Sequence, residues 1–410
     1  MYYFFYIPVG TEASVRRTPW GTILLAFANI WSFLLFQLAA GLEPEFYRLT
    51  LRAGEPSVAT AVTSSFLHSG WLHLASNLIY FGIFGPPVES RIGTVRFLFA
   101  YLGCAGLSNL SQAAWVLRAA PDLASVPIMG SSGAIAGIMG LFLVRLYFVK
   151  LRFAALTMLF LQGVARGSRF ALPAVAAIAL WFLLQVVYQL VEPTAGTAYV
   201  SHLAGLGFGA ALGLLMGLAG EGRMERRIII GNRYAERGEW FAALGEYDAY
   251  LARHPADPDV LIQAARVHRV THQTARSMDR FREAIGRLLR SGEVSEACDA
   301  YDEMKRLLGD VAIPPADELR VARGFEEAGR PTDASRAYEA YGRHHPDAPA
   351  AWTALLKCAD IERARLNNPG RAQYICSEIL RRTPPPEIER MARERLLKIE
   401  EALALQRGAA

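Results

Sequence analysis

Charged side chains are scarce in the first 220 residues of this chain. Residues 1–220 contain 12 Lys+Arg and 7 Asp+Glu, about 9% of the segment, whereas soluble domains usually reach about 25%. Residues 221–410 contain 31 residues of each sign, about 33% of that segment. The composition therefore predicts a membrane domain over 1–220 and a soluble domain over 221–410. Because no Lys/Arg-rich face carries the net charge of +5, we expect no nucleic-acid partner.

Cysteine is also scarce, with four residues in 410. No two of them form a C-x-x-C pair, and no histidine lies at zinc-ligand spacing from them. Buried free thiols are the favoured interpretation, and a disulfide or a metal site is the alternative. We expect no metal ion and no cofactor.

Long apolar runs dominate the first domain, and a bilayer core needs about 20 apolar residues per helix. Six segments meet or approach that length: 20–41, 71–90, 94–117, 130–149, 170–191 and 198–219. A shorter apolar stretch, 153–164, is predicted to be interfacial or re-entrant. The fold class is therefore predicted to be all-α, with a six-helix membrane bundle followed by a soluble helical domain.

The placement of Lys and Arg predicts the orientation of the spans. With six spans and an inner N-terminus, nine basic residues lie on one side: 16, 17, 91, 96, 145, 150, 152, 166 and 169. Three lie on the other: 48, 52 and 118. The bias predicts an integral multi-pass protein of the plasma membrane, of the bacterial inner-membrane type, with both termini in the cytoplasm.

Polar groups inside membrane spans are costly and are therefore candidates for function. The fourth span begins with Gly130-Ser131-Ser132-Gly133. Such small residues often serve only to pack helices closely. They would also expose the Ser132 hydroxyl and free nearby backbone N–H groups, as a nucleophile and an oxyanion site require.

The sixth span carries His202 directly before a stripe of small residues. Gly205 and Gly209 lie four residues apart, so they share a helix face against which a neighbouring helix can pack. If that neighbour is the fourth span, His202 can reach Ser132. A lone membrane histidine could alternatively bind a metal or relay protons.

The second span begins with another polar pair. His73 and Asn77 are four residues apart and share one helix face, at a depth similar to that of Ser132 and His202. Taken alone, this pair is explained as well by hydrogen bonds to neighbouring helices. A transporter or channel is disfavoured, because its polar groups would cross the midplane, whereas these gather near the outer face.

Taken together, these motifs resemble the rhomboid family of intramembrane serine proteases. The resemblance covers about 20–219 and rests on four elements in the family's order: His73-x-x-x-Asn77, Glu89-x-Arg91, Gly130-x-Ser132-Gly133 and His202-x-x-Gly205-x-x-x-Gly209. It implies a substrate that spans the membrane and is cut near the outer face.

The resemblance also implies residue roles. Ser132 would be the nucleophile and His202 its general base. The backbone N–H of Ser132, with the side chains of His73 and Asn77, would form the oxyanion hole. Glu89 and Arg91 would be structural and would tie the second and third spans together.

Two positions depart from the family's pattern. Ala136 stands where many members carry a Tyr or Phe beneath the catalytic histidine, which leaves the orientation of His202 open. Ser201 stands where a small residue such as Ala is more usual. The chain is expected to be an active enzyme, because Ser132 and His202 are both present. A catalytically silent, rhomboid-like membrane adaptor is the alternative.

The second domain has a helical pattern with a recurring alanine. The motif Gly-x-x-x-x-Ala, followed by tyrosines, occurs at Ala243, Ala297 and Ala334. A weaker copy, Asn368-Pro-Gly-Arg, precedes Ala372, so that the four alanines step by 54, 37 and 38 residues. This half resembles a degenerate tetratricopeptide array, whose repeats step by about 34 residues. A generic helical domain is the alternative. Such an array would bind a protein or peptide partner on its concave surface.

Overall fold

The computed structural model describes residues 2–15, 17–38, 43–159, 164–192 and 198–408. It divides into two compact units, Met1–Arg226 and Arg227–Ala410. The chain is mostly helical, as the sequence predicted. Arg16 of the predicted orientation pattern, residues 39–41 of the first predicted span and residues 160–163 of the predicted re-entrant stretch fall outside the described residues.

A helix occupies most of each of the six segments that were predicted to span the membrane. In chain order they are α1 (Trp20–Leu38), α4 (Trp71–Ile92), α5 (Thr94–Ala119), α6 (Ser132–Leu146), α7 (Ala174–Val191) and α8 (Tyr199–Leu215). Between the first two lie the short helices α2 (Glu43–Leu49) and α3 (Val58–Thr63). The short strands β2 (Leu51–Arg52) and β3 (Pro127–Ile128) pair antiparallel.

The number of membrane spans remains a prediction. Judged by length and composition, one described helix, Ala174–Val191, could cross a bilayer by itself. The pair Tyr199–Leu215 and Leu218–Glu236 would qualify together, but the two helices bend by 79° at their break. Trp20–Phe36 and Ser132–Leu146 are apolar but shorter.

A three-stranded antiparallel sheet is the main feature that the all-α prediction did not include. Its strands are β1 (Tyr2–Thr11), β4 (Lys150–Leu159) and β5 (Val164–Pro173), in the order β1-β4-β5. The described part of the predicted re-entrant stretch 153–164 therefore lies in strands. The fifth predicted span begins at Ala174 rather than 170, because residues 170–173 belong to β5.

One face of this sheet is apolar and closes part of the membrane-domain core. Phe153 lies opposite Phe170, and Leu151 lies opposite Leu172. Alternate side chains of a strand point to opposite faces, so these four share a face. They line an apolar cavity of about 220 Å³ together with Trp181 and other residues of α4, α6 and α7.

Helices α6 and α8 pack so closely that their backbones touch at glycines. A Cβ atom placed on Gly209 would collide with the carbonyl oxygen of Gly137, and one on Gly205 would collide with that of Gly133. No other residue type fits at such contacts without moving the helices apart. The predicted glycine stripe therefore lies against α6.

The second unit is a succession of helices that pack mainly against their neighbours in sequence. After α9 (Leu218–Glu236) come α10 (Trp240–Leu251), α11 (Pro258–Val270), α12 (Thr274–Ser291), α13 (Val294–Leu308), α14 (Pro315–Glu327), α15 (Pro331–His344), α16 (Ala351–Ala364), α17 (Pro369–Arg381) and α18 (Pro386–Gly408). Local caps fix several boundaries. Asp257 accepts hydrogen bonds from the backbone N–H groups of Asp259 and Val260, and Gly292 ends α12 with φ +83°.

The four recurring alanines are all completely buried, each at 0% exposure, in α10, α13, α15 and α17. One intervening helix separates α13 from α15, and one separates α15 from α17. Two helices, α11 and α12, separate α10 from α13. The longer step of 54 residues thus corresponds to one additional helix.

Replacing Gly209 by Ala is expected to lower the stability of the membrane unit by about 1–3 kcal/mol, because the new methyl group would force α8 away from α6. Gly207→Ala on the same helix is the matched control, since a Cβ there meets nothing within 4 Å. Thermal unfolding of the purified full chain in detergent measures both. Equal midpoints for the two variants would contradict the close contact.

The cysteines of the second unit are expected to resist a thiol reagent at pH 8. Burial raises the pKa of the Cys298 and Cys376 thiols to about 11 and that of Cys358 to about 12. Relative to an ordinary thiol of pKa 9.0, two pKa units reduce the thiolate fraction roughly a hundredfold. Ellman's reagent should therefore react slowly with the native chain and fully after denaturation.

The matched control is Ser291→Cys, because residue 291 is exposed at the end of α12. Its thiol should react rapidly in the native protein. Rapid reaction of the unaltered chain, before any unfolding, would contradict the burial of these thiols.

Candidate active site

Ser132 opens helix α6, and its hydroxyl faces an imidazole of α8. Ser132 Oγ lies 2.7 Å from Nε2 of His202, and both side chains are half-buried. Gly130 precedes the helix with φ +114°, a conformation that favours glycine. The first N–H groups of a helix have no partner within it. The hydroxyl therefore lies beside an imidazole and at the N-terminal end of a helix, where backbone N–H groups point outward.

The second ring nitrogen of His202 is bound from α7. Nδ1 lies 2.7 Å from Oε1 of Gln185. The indole ring of Trp181 lies 5.9 Å from the imidazole, centroid to centroid, at 33°. Tyr199 meets the imidazole edge-on at 6.4 Å. These contacts restrain the orientation of His202, although α6 offers only Ala136 at the position where an aromatic residue was expected.

His73 and Asn77 lie beside the backbone that enters α6. A Cβ placed on Gly130 would lie 2.8 Å from Nε2 of His73 and 3.9 Å from Nδ2 of Asn77. His73 Nδ1 is 3.1 Å from the hydroxyl oxygen of Ser69. Asn77 Nδ2 donates to Nε2 of His68 at 3.0 Å. The structure thus brings both predicted residues to the chain just before Ser132.

Two polar residues at this site had no role assigned from the sequence. His68, 2% exposed, contacts Ser131 Oγ at 3.3 Å as well as Asn77. The sequence signal that could have placed His68 at the site was its position five residues before His73. Gln185 was marked only by being an amide in an otherwise apolar segment, and nothing in its spacing points to His202.

Ser201 binds away from the Ser132–His202 pair. Its hydroxyl donates to Oδ1 of Asn109 at 3.2 Å, and its backbone N–H donates to Oε1 of Gln112 at 3.0 Å. Both acceptors are on α5. The unusual serine before His202 therefore ties α8 to α5 and does not compete for Ser132.

Glu89 holds the start of α1. Its carboxylate accepts hydrogen bonds of 2.7 Å from the backbone N–H groups of Gly21 and Thr22, the hydroxyl of Thr22 and the hydroxyl of Thr94. A carboxylate is well suited to the positive N-terminal end of a helix. Thr94 begins α5, so Glu89 links α4 to both α5 and α1.

Arg91 does not join Glu89 in linking α4 to α5. Its guanidinium donates to the carbonyl oxygen of Ser14 and to Glu225 Oε1, the latter at 2.7 Å. Arg145 at the end of α6 pairs with Glu225 Oε2 at 2.8 Å. Arg91 and Arg145 thus share one carboxylate of α9, and Arg91 ties α4 to that helix rather than to α5.

Among the described residues, no group of three or more His, Cys, Asp or Glu side chains is arranged to hold a metal ion. The chemistry that this constellation offers is acyl transfer. A hydroxyl, an imidazole and nearby donors supply a nucleophile, a base and stabilisation of a negative oxygen.

Comparisons with known proteins point to one family. The sequence profile of the Rhomboid domain matches residues 55–219. The protein named "Putative rhomboid protease YdcA" from Bacillus subtilis (strain 168) is 31% identical over 143 residues. The match covers 33% of this chain and 67% of that relative.

Rhomboid-domain proteins are embedded in membranes, and the apolar helix Ala174–Val191 agrees with that class. The chain belongs to the rhomboid family, whose members are generally serine intramembrane proteases.

Glu89→Gln is expected to destabilise the membrane unit by about 1–3 kcal/mol, because one amide oxygen cannot accept from four donors. Glu192→Gln, at the exposed end of α7, is the control with the same change of charge. Thermal unfolding in detergent compares them. If the two variants unfold at the same temperature, the anchoring role of Glu89 is wrong.

Proposed function

We propose that the protein is an intramembrane serine endopeptidase in which Ser132 is the nucleophile and His202 the general base. The observation that carries the proposal is the 2.7 Å separation between Ser132 Oγ and His202 Nε2. A serine hydroxyl becomes an effective nucleophile when an adjacent base accepts its proton. The proposed reaction needs no metal ion and no cofactor.

In the first half of the reaction, Nε2 of His202 takes the hydroxyl proton while Oγ forms a bond to the carbonyl carbon of the substrate. The carbonyl electron pair moves onto its oxygen. When that tetrahedral species collapses, the C–N bond breaks and the leaving amine takes the proton from Nε2. Ser132 is left as an ester of the new carboxyl end.

In the second half, a water molecule gives a proton to Nε2 and attacks the ester carbon. Collapse breaks the bond to Ser132 Oγ, which recovers the proton from Nε2. The products are a free carboxyl group and the regenerated serine. His202 thus acts as base and then acid in each half, as it does in a serine protease triad.

The developing oxyanion would be held by the backbone N–H of Ser132 and by the side chains of His73 and Asn77. Support comes from the position of both side chains against Gly130, two residues before the nucleophile. Oriented donors in a site sheltered from bulk water stabilise such a charge strongly, and losing one costs roughly 10²–10³ in rate in soluble serine proteases.

The proposed substrate is a transmembrane protein whose membrane helix unwinds locally near the outer face. The protein would be embedded in the bilayer by six spans, with both termini on the cytoplasmic side. A peptide bond can be cut only where its backbone leaves a helix and water is present, so the polar end of the bundle suits this reaction.

The second unit is proposed to be a tetratricopeptide-like array that binds a protein or peptide partner. The buried alanines of α10, α13, α15 and α17 support this assignment, because they recur at the contacts between successive helices. The array would recruit substrates or regulate the protease, and it carries no part of the proposed reaction.

The proposal predicts that Ser132→Ala and His202→Ala each abolish cleavage of a reporter membrane helix, with a loss of roughly 10⁴-fold or more. The full chain would be reconstituted in lipid without metal or ATP, and the products identified by mass spectrometry. A serine-directed fluorophosphonate should label the wild type and should not label Ser132→Ala.

The matched control is Ser111→Ala, which removes an exposed hydroxyl of α5 that donates to the backbone oxygen of Leu107 in its own helix. It should cleave like the wild type. Cleavage that survives Ser132→Ala would overturn the assignment. A folded wild type that neither cleaves a panel of unstable helices nor reacts with the fluorophosphonate would favour the silent membrane adaptor.

A further inference from the structure

Both ring nitrogens of His202 are engaged, and their partners are chemically different. Nε2 faces the Ser132 hydroxyl, and Nδ1 faces Oε1 of Gln185, each at 2.7 Å. An amide oxygen can only accept, so Nδ1 must carry the ring proton to bond with it. Neutral imidazole has a single N–H, and Nε2 is then left with a lone pair aimed at Ser132 Oγ.

Gln185 belongs to a stripe of α7 that faces α8. Trp181, Gln185 and Tyr188 recur at helical spacing and therefore share one face. Trp181 lies 5.9 Å from the His202 ring, and Tyr188 stacks on Tyr199 at 5.8 Å. The stripe supplies a hydrogen-bond acceptor and an aromatic wall to the histidine, which α6 does not supply because it has Ala136 below the serine.

Few other residues of helix α7 are buried against the rest of the unit. Of its eighteen residues, only Ala174 and Ile178 are buried, and both precede the stripe. The part that carries Gln185 is in contact with α8 through the three side chains just named. The orientation of His202 is therefore coupled to the position of α7 against α8.

From these contacts we propose that Gln185 is a positioning residue for the proposed reaction, which extends the Ser132–His202 pair to a Ser132–His202–Gln185 triad. This inference rests on the proposed function. Gln185 touches neither substrate nor nucleophile. It fixes the tautomer and the ring plane of His202, so that Nε2 is unprotonated and directed at Ser132.

The test combines kinetics with ¹⁵N NMR of the imidazole in the full chain. Gln185→Met keeps the length of the side chain and removes the acceptor. We expect kcat to fall roughly tenfold or more with little change in KM, because one neutral hydrogen bond is lost from the base and not from the substrate site. Fluorophosphonate labelling should slow in parallel.

Two further variants separate positioning from a general structural role. Gln185→Glu retains an acceptor of the same length and should keep most of the activity. Gln189→Met makes the same replacement on the same face of α7, one turn or about 6 Å beyond the residue that bonds Nδ1 of His202, and should behave as the wild type. The thermal unfolding midpoint of each variant identifies any that fails to fold.

The tautomer is measured on the wild type itself, with the His202→Asn spectrum used for assignment. A ring proton on Nδ1 is the expected result, and a ring proton on Nε2 in the resting protein would overturn the proposal. So would Gln185→Met with undiminished kcat. Cleavage that survives Ser132→Ala would instead reject the protease assignment and would leave the tautomer measurement to decide what Gln185 does.

Discussion

The close contact between α6 and α8 is the constraint on which the site depends. At Gly205 and Gly209 of α8, carbonyl oxygens of α6 occupy the space that a Cβ atom would fill. Only glycine permits this approach, because any side chain at these two positions would hold the helices apart. It brings the first residue of α6 within hydrogen-bond distance of His202, and a separation wider by one methyl group would leave the hydroxyl and the imidazole without direct contact.

The parts of the fold that were predictable are those governed by local pattern. Apolar runs of span length, glycines at a spacing of four and polar residues on one helix face are all properties of neighbouring positions. They were sufficient to predict the helices, but they allowed the meeting of Ser132 with His202 only on the condition that the fourth span is the neighbour of the sixth. The resemblance to the rhomboid family supplied that condition. The glycine stripe was informative because it predicts that another helix packs closely against the sixth span. It does not identify that helix.

The sheet and the orientation of His202 depend on partners that are distant in sequence, and local pattern does not contain them. Strand β1 pairs with β4 across roughly 150 residues of chain, with Ile7 opposite Ala154. The alternation in Lys150-Leu151-Arg152-Phe153 was a strand signal, but it is too short to outweigh an apolar stretch. Gln185 shows the same limit. An amide in a mostly apolar helix indicates a polar contact but does not identify the partner, and α7 carries a second amide, Gln189.

In the proposed reaction, His202 must lie close to Ser132 and must have the correct ring orientation. Different helices meet these two requirements. The distance from His202 to Ser132 is set by the backbone contact of α6 and α8, which glycine makes stiff. The orientation and tautomer of the ring are set by side chains of α7, a helix buried only near its start. A movement of the later part of α7 would thus change the orientation of the base without changing its distance from the nucleophile. For the proposed cleavage of a membrane helix, this arrangement would keep the proton-transfer distance fixed while the orientation of His202 depends on what lies beside α7.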